Sequence, residues 1–250
     1  MDRALLISWY DLAPAGREAH LEWLHGTYIP KVLRRPGVLW AAHYASEKLP
    51  LPPRIHTTAE PVPAGNDFIL LFGGTSSHAF TRDAGSFAQG TPSAFYASLT
   101  DTDRKMLTAR VSERVCLMTE EARVDGPAAG LRKGDPTPAP CIQLGSFNAG
   151  SIEGEEELLA WYADWRMPAL SKLPGCVGMR KMVSVTGWAK HGVMYEFASL
   201  EARNEGMPAV ARLYPGMEAW TNRFIPKLTH APGSPNVARR IWPPVREAGI

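Results

Sequence analysis

The chain has 250 residues, 45% of them hydrophobic and 21% charged, with a formal net charge of +2. This is the composition of an ordinary globular protein, long enough for one large core or two small ones. So small a charge, with no Lys/Arg run, argues against nucleic acid or an anionic membrane as partner, and no stretch approaches the ~18 apolar residues of a membrane span.

Ala4 to Tyr10 (ALLISWY) predicts a short buried strand, closed by Pro14 and Gly16. From Arg17 to Arg34, His20, Leu21, Leu24, Tyr28 and Val32 recur at three- and four-residue steps, the apolar stripe of a helix lying on a sheet. Pro30 falls inside the stripe, removes a backbone donor and is expected to kink or thin the last turn. Pro36 and Gly37 end the helix, and Val38 to Ser46 is the second strand. Residues 47–66 are crowded with proline and predict a long loop, whose Arg54 and His56 either close over a ligand or are merely solvated. Asp67 to Gly73 is the third strand, 74–92 an irregular stretch, Ser93 to about Ala109 a second helix, and Val111 to Thr119 a fourth strand.

Residues 123–140 have the Pro and Gly density of a linker. After them the pattern returns: strand Ile142 to Phe147, helix Glu155 to Lys172, strands Val177 to Val185 and Val193 to Leu200, a helical region from about Pro208 to Leu228, and strand Val237 to Trp242. Trp23 and Trp161, Pro30 and Pro168, Pro36 and Pro174, and Gly37 and Gly175 are all 138 residues apart. So long a repeat means two copies of one small domain. The expected organisation is a first unit over 1–122, a linker over 123–140 and a second unit over 141–250. Each unit is β-α-β-β-α-β, the split βαβ plan of the ferredoxin-like fold. Its sheet has one bare face, and two copies can bury those faces against each other. The predicted fold class is α+β: two fused ferredoxin-like units packed sheet to sheet as a pseudo-dimeric α+β barrel, either monomeric or further paired as a homodimer.

A mid-helix aromatic, a helix proline and Pro-Gly opening the second strand together resemble the dimeric α+β barrel superfamily, most closely its EthD-like branch. The resemblance spans both units and is sharp over about thirty residues of each. It implies the barrel fold and an activity drawn from cofactor-independent isomerases, cyclases and monooxygenases, or from haem-binding chlorite dismutase and peroxidase relatives. The slot two residues before the helix proline, often His in EthD-like proteins, holds Tyr28 in the first copy and Arg166 in the second.

His25 lies three residues before Tyr28, so both fall on one helix face and form a candidate catalytic pair for proton transfer, unless His25 is a packed histidine satisfied by a carbonyl. Tyr10 and Tyr44 could line the same cavity or only pack; His43 alternates with Tyr44, so one of the two faces the helix. In the second copy Arg166, Arg180 and Tyr195 form a basic set suited to a carboxylate or enolate, with Glu196 a further candidate base, although Arg180 could equally be an ion-paired structural residue. Trp9 and Trp40 are assigned to the core or an interface.

No P-loop, GxSxG, HExxH or metal-spaced His/Cys/Asp group occurs. No metal and no cofactor are expected; haem, with His191 or His230 as axial ligand, is the minority alternative. By analogy with the superfamily, the favoured reading is a cofactor-independent isomerase acting on a small unsaturated carboxylate from aromatic ring cleavage. Ester or lactone hydrolysis on the same scaffold stays open. The other readings are a cofactorless monooxygenase or cyclase of a polycyclic phenol and a non-enzymatic small-molecule binding module. The three cysteines, odd in number and outside any CxxC pattern, and a chain start unlike a signal peptide lead to an expected cytoplasmic location.

Overall fold

The computed structural model describes residues 1–50, 54–58, 62–81, 97–214 and 216–245. Among the described residues there are ten strands: β1 (Ala4–Leu12), β2 (Val38–Glu47), β3 (Ile55–His56), β4 (Phe68–Gly74), β5 (Arg110–Asp125), β6 (Cys141–Asn148), β7 (Cys176–Thr186), β8 (His191–Phe197), β9 (Thr229–His230) and β10 (Asn236–Trp242). Apart from the two-residue β3 and β9, they close an antiparallel barrel of eight in the order β2-β4-β1-β5-β7-β8-β6-β10, with β10 hydrogen-bonded to both β6 and β2. Closure leaves none of the eight with an unpaired edge. Each half of the chain contributes four consecutive staves in the same relative order, β2-β4-β1-β5 and β7-β8-β6-β10.

Strand alternation divides the apolar residues into three cores. Leu5, Ile7 and Trp9 of β1 point into the barrel with Trp40, Tyr44, Ile69, Met118, Ile142 and Met194, while Tyr10 and Leu12 point outward to the first half's helices. On β8, Val193, Tyr195 and Phe197 face the second half's helices. Trp9 and Trp40 therefore belong to the barrel interior. The Trp40 indole lies against Gly73 of β4, where a Cβ would meet it at 2.1 Å, so this one position tolerates no side chain.

Helix α1 is continuous but not uniform: Arg17–Trp23 and Ile29–Leu33 are α-helical and flank a π-helical turn at Leu24–Tyr28. Helix α3 repeats this, with α-helical Ile152–Ala160 and Met167–Leu170 around a π-helical Trp161–Arg166. Each widened turn ends immediately before the segment whose second residue is Pro30 or Pro168. A proline inside an α-helix removes the donor to the i−4 carbonyl and its ring collides with that same carbonyl, and a wider turn relieves the collision. The expected kink is thus a π turn, and the helix runs on past it. Gly37 and Gly175 sit at φ +85° and +74°, the left-handed geometry that turns each helix into the following strand.

The indole of each mid-helix tryptophan is tied to the second helical layer of its own half. Trp23 Nε1 donates to Asp103 on α2 (Asp101–Thr108) at 3.0 Å, and Trp161 Nε1 donates to Thr221 on α5 (Met217–Phe224) at 3.3 Å. Between them in the chain runs α4 (Leu200–Leu213), N-capped by Ser199 and starting eight residues before the expected helical region, so Leu200 is helix rather than strand.

The remaining differences are at boundaries. Within 74–92, expected to be irregular, His78–Thr81 form one helical turn; 82–92, and the start of the expected second helix at 93–96, lie outside the described residues. Strand β5 continues to Asp125 because its second part pairs with β7, so residues 123–125 of the expected linker are strand, and Ala129–Arg132 form a 3-10 turn. No helix among the described residues is long and apolar enough to cross a membrane.

Candidate functional site

Strand β2 turns His43 toward α1 and Tyr44 toward the barrel, which settles the alternation. His43 Nδ1 lies 2.9 Å from His25 Nε2, and its Nε2 lies 2.9 Å from the Tyr10 hydroxyl. Three side chains from β1, α1 and β2 thus form one hydrogen-bonded row. Tyr10 and His43 are fully buried and stack on Phe68, whereas His25 is half-buried. Trp242, from β10 of the second half, stacks over His25 at 5.9 Å.

Strand β5 supplies the charge. Arg110 lays its guanidinium on the Tyr10 ring at 4.5 Å and on Tyr28 at 5.8 Å, and pairs with Glu113 at 2.7 Å; Glu113 also accepts from Ser8. The bend that allows this is a bulge: β1 places one residue, Tyr10, between Trp9 and Asp11, while β5 places Ser112 and Glu113 between their partners. Ser112 carries it at φ +50°, rare for a non-glycine residue. Arg110 is the site residue that sequence pattern missed. It lies one position before the expected strand, and only the longer strand shows it on the helix-facing side.

The electrostatics assign the roles. Burial, reinforced by His25, Arg110 and His20, holds the His43 imidazole well below its ordinary pKa, and burial raises that of the Tyr10 phenol. Both therefore stay neutral. Burial also lowers His25, which keeps an unprotonated nitrogen at neutral pH. Neither neighbour can comfortably carry a charge, so a proton accepted here stays on His25, and His43 and Tyr10 orient it. In the base-ready tautomer His25 donates from Nε2 to His43, and its Nδ1 lone pair is free to accept.

Tyr28 meets Trp23 at 5.1 Å and Phe72 at 6.4 Å as well as Arg110. The hydrogen bonds of His25 run to His43 and through it to Tyr10, and the π turn spans His25 and Tyr28, so their three-residue step differs from that of an α-helix. Tyr44 is on the opposite face, where its hydroxyl donates to the carbonyls of Pro138 and Ala139. Arg180 is also away from the site. It is buried on the barrel side of β7, pairing with Asp2 and, at 3.3 Å, with Glu196. Glu196 is spent in that network, accepting from Arg132 at 2.9 Å and from the Ala139 amide at 3.0 Å.

Arg166 and Tyr195 do come together, but in the second half. They line a cavity of about 100 Å³ between α3 and the faces of β6 and β8, with Arg166 Nε 3.2 Å from the Tyr195 hydroxyl. Arg54 reaches the same cavity from the first half's proline-rich loop, because β3 pairs in parallel with β9. His230 lines the cavity with Nδ1 3.3 Å from the Leu228 carbonyl, and His191 is paired with Glu155 at 2.5 Å. The volume lies below the ~300 Å³ at which sites for drug-sized ligands begin. Among the described residues no His/Cys/Asp/Glu group could hold a metal ion.

Two buried histidines give a stability prediction. Burial lowers both His20 and His230 to about 4, against an unfolded value of about 6.5. The folded state binds fewer protons than the unfolded chain between those limits. Stability is therefore full above pH 6.5 and falls as pH drops toward 4, by at most roughly 3 kcal/mol for each histidine. Unfolding free energies measured in urea between pH 7 and 4 should show this slope. A His20→Gln, His230→Gln double variant should reduce it, leaving the part that His43, His25 and His191 contribute with the same sign; an unchanged slope would disprove the assignment.

No protein-family model and no curated protein matches the sequence. Solved structures do. A candidate monooxygenase of Lactobacillus acidophilus NCFM is similar over 96% of this chain and 94% of its own, at TM-score 0.52 and 11% identity. A candidate monooxygenase of Fusobacterium nucleatum subsp. nucleatum covers 96% and 92% at TM-score 0.56 and 6% identity, and an anthrone oxidase-like protein covers 96% and 91% at 0.56 and 11%. At such identities the likeness is one of fold, and the chain has the ferredoxin-like α+β barrel fold of these neighbours.

Proposed function

We propose that this chain is a cofactor-independent enzyme in which His25 takes a proton from an enolisable or phenolic organic substrate. The observation that carries the reading is the row His25–His43–Tyr10: a half-buried imidazole, unprotonated at neutral pH, held by a buried neutral imidazole and a buried phenol. That is a positioned general base rather than a packed histidine. Trp242 and Phe68 offer flat surfaces for an unsaturated or aromatic substrate, and the Arg110 cation favours the anion that deprotonation leaves.

The same base supports two kinds of outcome. In the first no oxygen is consumed: return of the proton elsewhere gives an isomerase, and attack of the base on water gives ester or lactone hydrolysis. In the second the substrate carbanion reacts with dioxygen, which gives a monooxygenase of phenols and is favoured by the names of the structural neighbours. No cofactor is assigned to any of these. We further propose that the halves are duplicated ferredoxin-like units of EthD-like kind, in a cytoplasmic protein whose internal pseudo-dimer completes the barrel. Support comes from the shared stave order and from π turns and tryptophan anchors 138 residues apart.

The test is solvent exchange. A panel of unsaturated carboxylates and their esters, and of anthrone-type phenols, is incubated with the protein in deuterium oxide under air while oxygen uptake is followed. Wild type should incorporate deuterium at the acidic carbon of at least one compound, and His25→Ala should not. Oxygen uptake with a phenol would select the second outcome. Equal exchange by wild type and His25→Ala would overturn the proposal.

A further inference from the structure

We infer that the barrel interior binds a small monovalent anion on Arg114, at a site separate from that of His25. Arg114 lies on the barrel-facing side of β5, in step with Cys116 and Met118 of the interior core, and is 3% exposed. Its guanidinium lies over the Trp9 ring at 4.0 Å, and its Nη1 donates to Ser146 Oγ on β6 at 2.9 Å. Nε and Nη2, which together form one edge of the planar fork, are buried and have no protein acceptor. The indole Nε1 of Trp9 is buried without an acceptor as well. Buried donors are nearly always matched, so three unmatched ones on two touching side chains mark a place where a bound species accepts.

The charge is unmatched too. Burial lowers the pKa of Arg114 to about 10, which leaves it protonated at neutral pH. No Asp or Glu among the described residues pairs with it. Glu113, next to it in the chain, is turned to the other face of β5, where it pairs with Arg110 and accepts from Ser8. The neighbour that could carry a negative charge is Cys116, whose sulfur meets Arg114 and the backbone amides of Trp188 and Ala189. Burial raises its pKa above the ordinary thiol value, so at neutral pH it is a neutral thiol and cancels nothing. The Trp9 face attracts the cation but offers no lone pair in the plane of the fork.

A guanidinium enclosed in an apolar core is costly without an anion, and one monovalent anion brings this interior to neutrality. The two N–H groups of the free edge suit a halide accepting from both, or a small carboxylate taken in bidentate fashion. A dianion would instead leave a net negative charge among Met118, Leu144 and Met194. Trp188, in the turn between β7 and β8, packs on the same core, so the site lies near the barrel end where that turn sits.

Thermal unfolding of the full chain at constant ionic strength tests this. Gluconate, monovalent but too bulky for a packed barrel, is the baseline, and chloride or formate replaces it. Chloride or formate should raise the melting temperature by about 3–6 °C for each tenfold increase above its dissociation constant. Whichever of the two acts tells halide from carboxylate. Arg114→Met should lose the dependence. His25→Ala should keep it, so the result is read independently of the proposed activity. Wild-type crystals soaked in bromide or in formate give a second readout that decides if Arg114→Met fails to fold: one of the two anions should lie against Nε and Nη2 of Arg114. Equal melting temperatures in all three anions, the same dependence in folded Arg114→Met, or crystals with neither anion at Arg114 would each overturn the inference.

Discussion

His25→Ala is expected to lower kcat/KM by two to four orders of magnitude while leaving the melting temperature within a few degrees of wild type. The size is that of a lost general base. The thermal effect is small because His25 is half-buried and its removal exposes no charge. The wild-type rate should rise with pH through an apparent pKa below 6.5, then stay level across neutrality, because the base works unprotonated and burial has lowered its pKa. Tyr10→Phe and His43→Gln test positioning. Each should lower kcat more than it raises KM, since the orienting bond acts on the base and not on the substrate. Steady-state kinetics with whichever panel compound exchanges would decide. A pH profile rising only above 7, or a His25→Ala enzyme of near-normal rate, would remove His25 from the mechanism.

Glu196→Gln is expected to be the most destabilising conservative change in the chain. Its carboxylate is completely buried and accepts from Arg180, Arg132 and the Ala139 amide, while Arg180 also holds Asp2. Arg132 and Ala139 belong to the segment between β5 and β6, which this network ties to Arg180 of β7 and Glu196 of β8. Neutralising one member of such a buried group leaves the others uncompensated, at a cost of about 3–5 kcal/mol. At about 2–4 °C per kcal/mol for a chain of this size, the melting temperature should fall by on the order of 10 °C. Thermal unfolding followed by circular dichroism measures it. A fall under about 2 °C would show that the network is energetically idle. Surface pairs such as Lys48 with Asp67, at 2.7 Å but largely exposed, should change stability by less than about 1 kcal/mol.

Much of the first site was legible in the chain. Periodicity brings His25 to the sheet-facing side of α1, and the alternation of His43 with Tyr44 limits the strand's contribution to one of two residues. Periodicity could not reach the partner of His25. Its spacing argument assumes α-helical turns, and Pro30 makes this one a π turn. Nor could it reach Arg110, whose orientation depends on a strand longer than its apolar run and on a bulge at Ser112. Arg180 shows the opposite limit: the chain leaves it open between ligand and structural ion pair, and burial shows it enclosed with Asp2 and Glu196.

By itself the sequence determined the elements and their repetition. Apolar spacing, the helix prolines and the Pro-Gly breaks are local properties, set by backbone sterics and by which face of each element must leave water. Tertiary structure alone decided which residues from distant elements share a site. Barrel closure laid Trp242 over His25, and the pairing of β3 with β9 carried Arg54 into the opposite half. Such contacts depend on the register and direction of strands far apart in the chain, which no local pattern encodes.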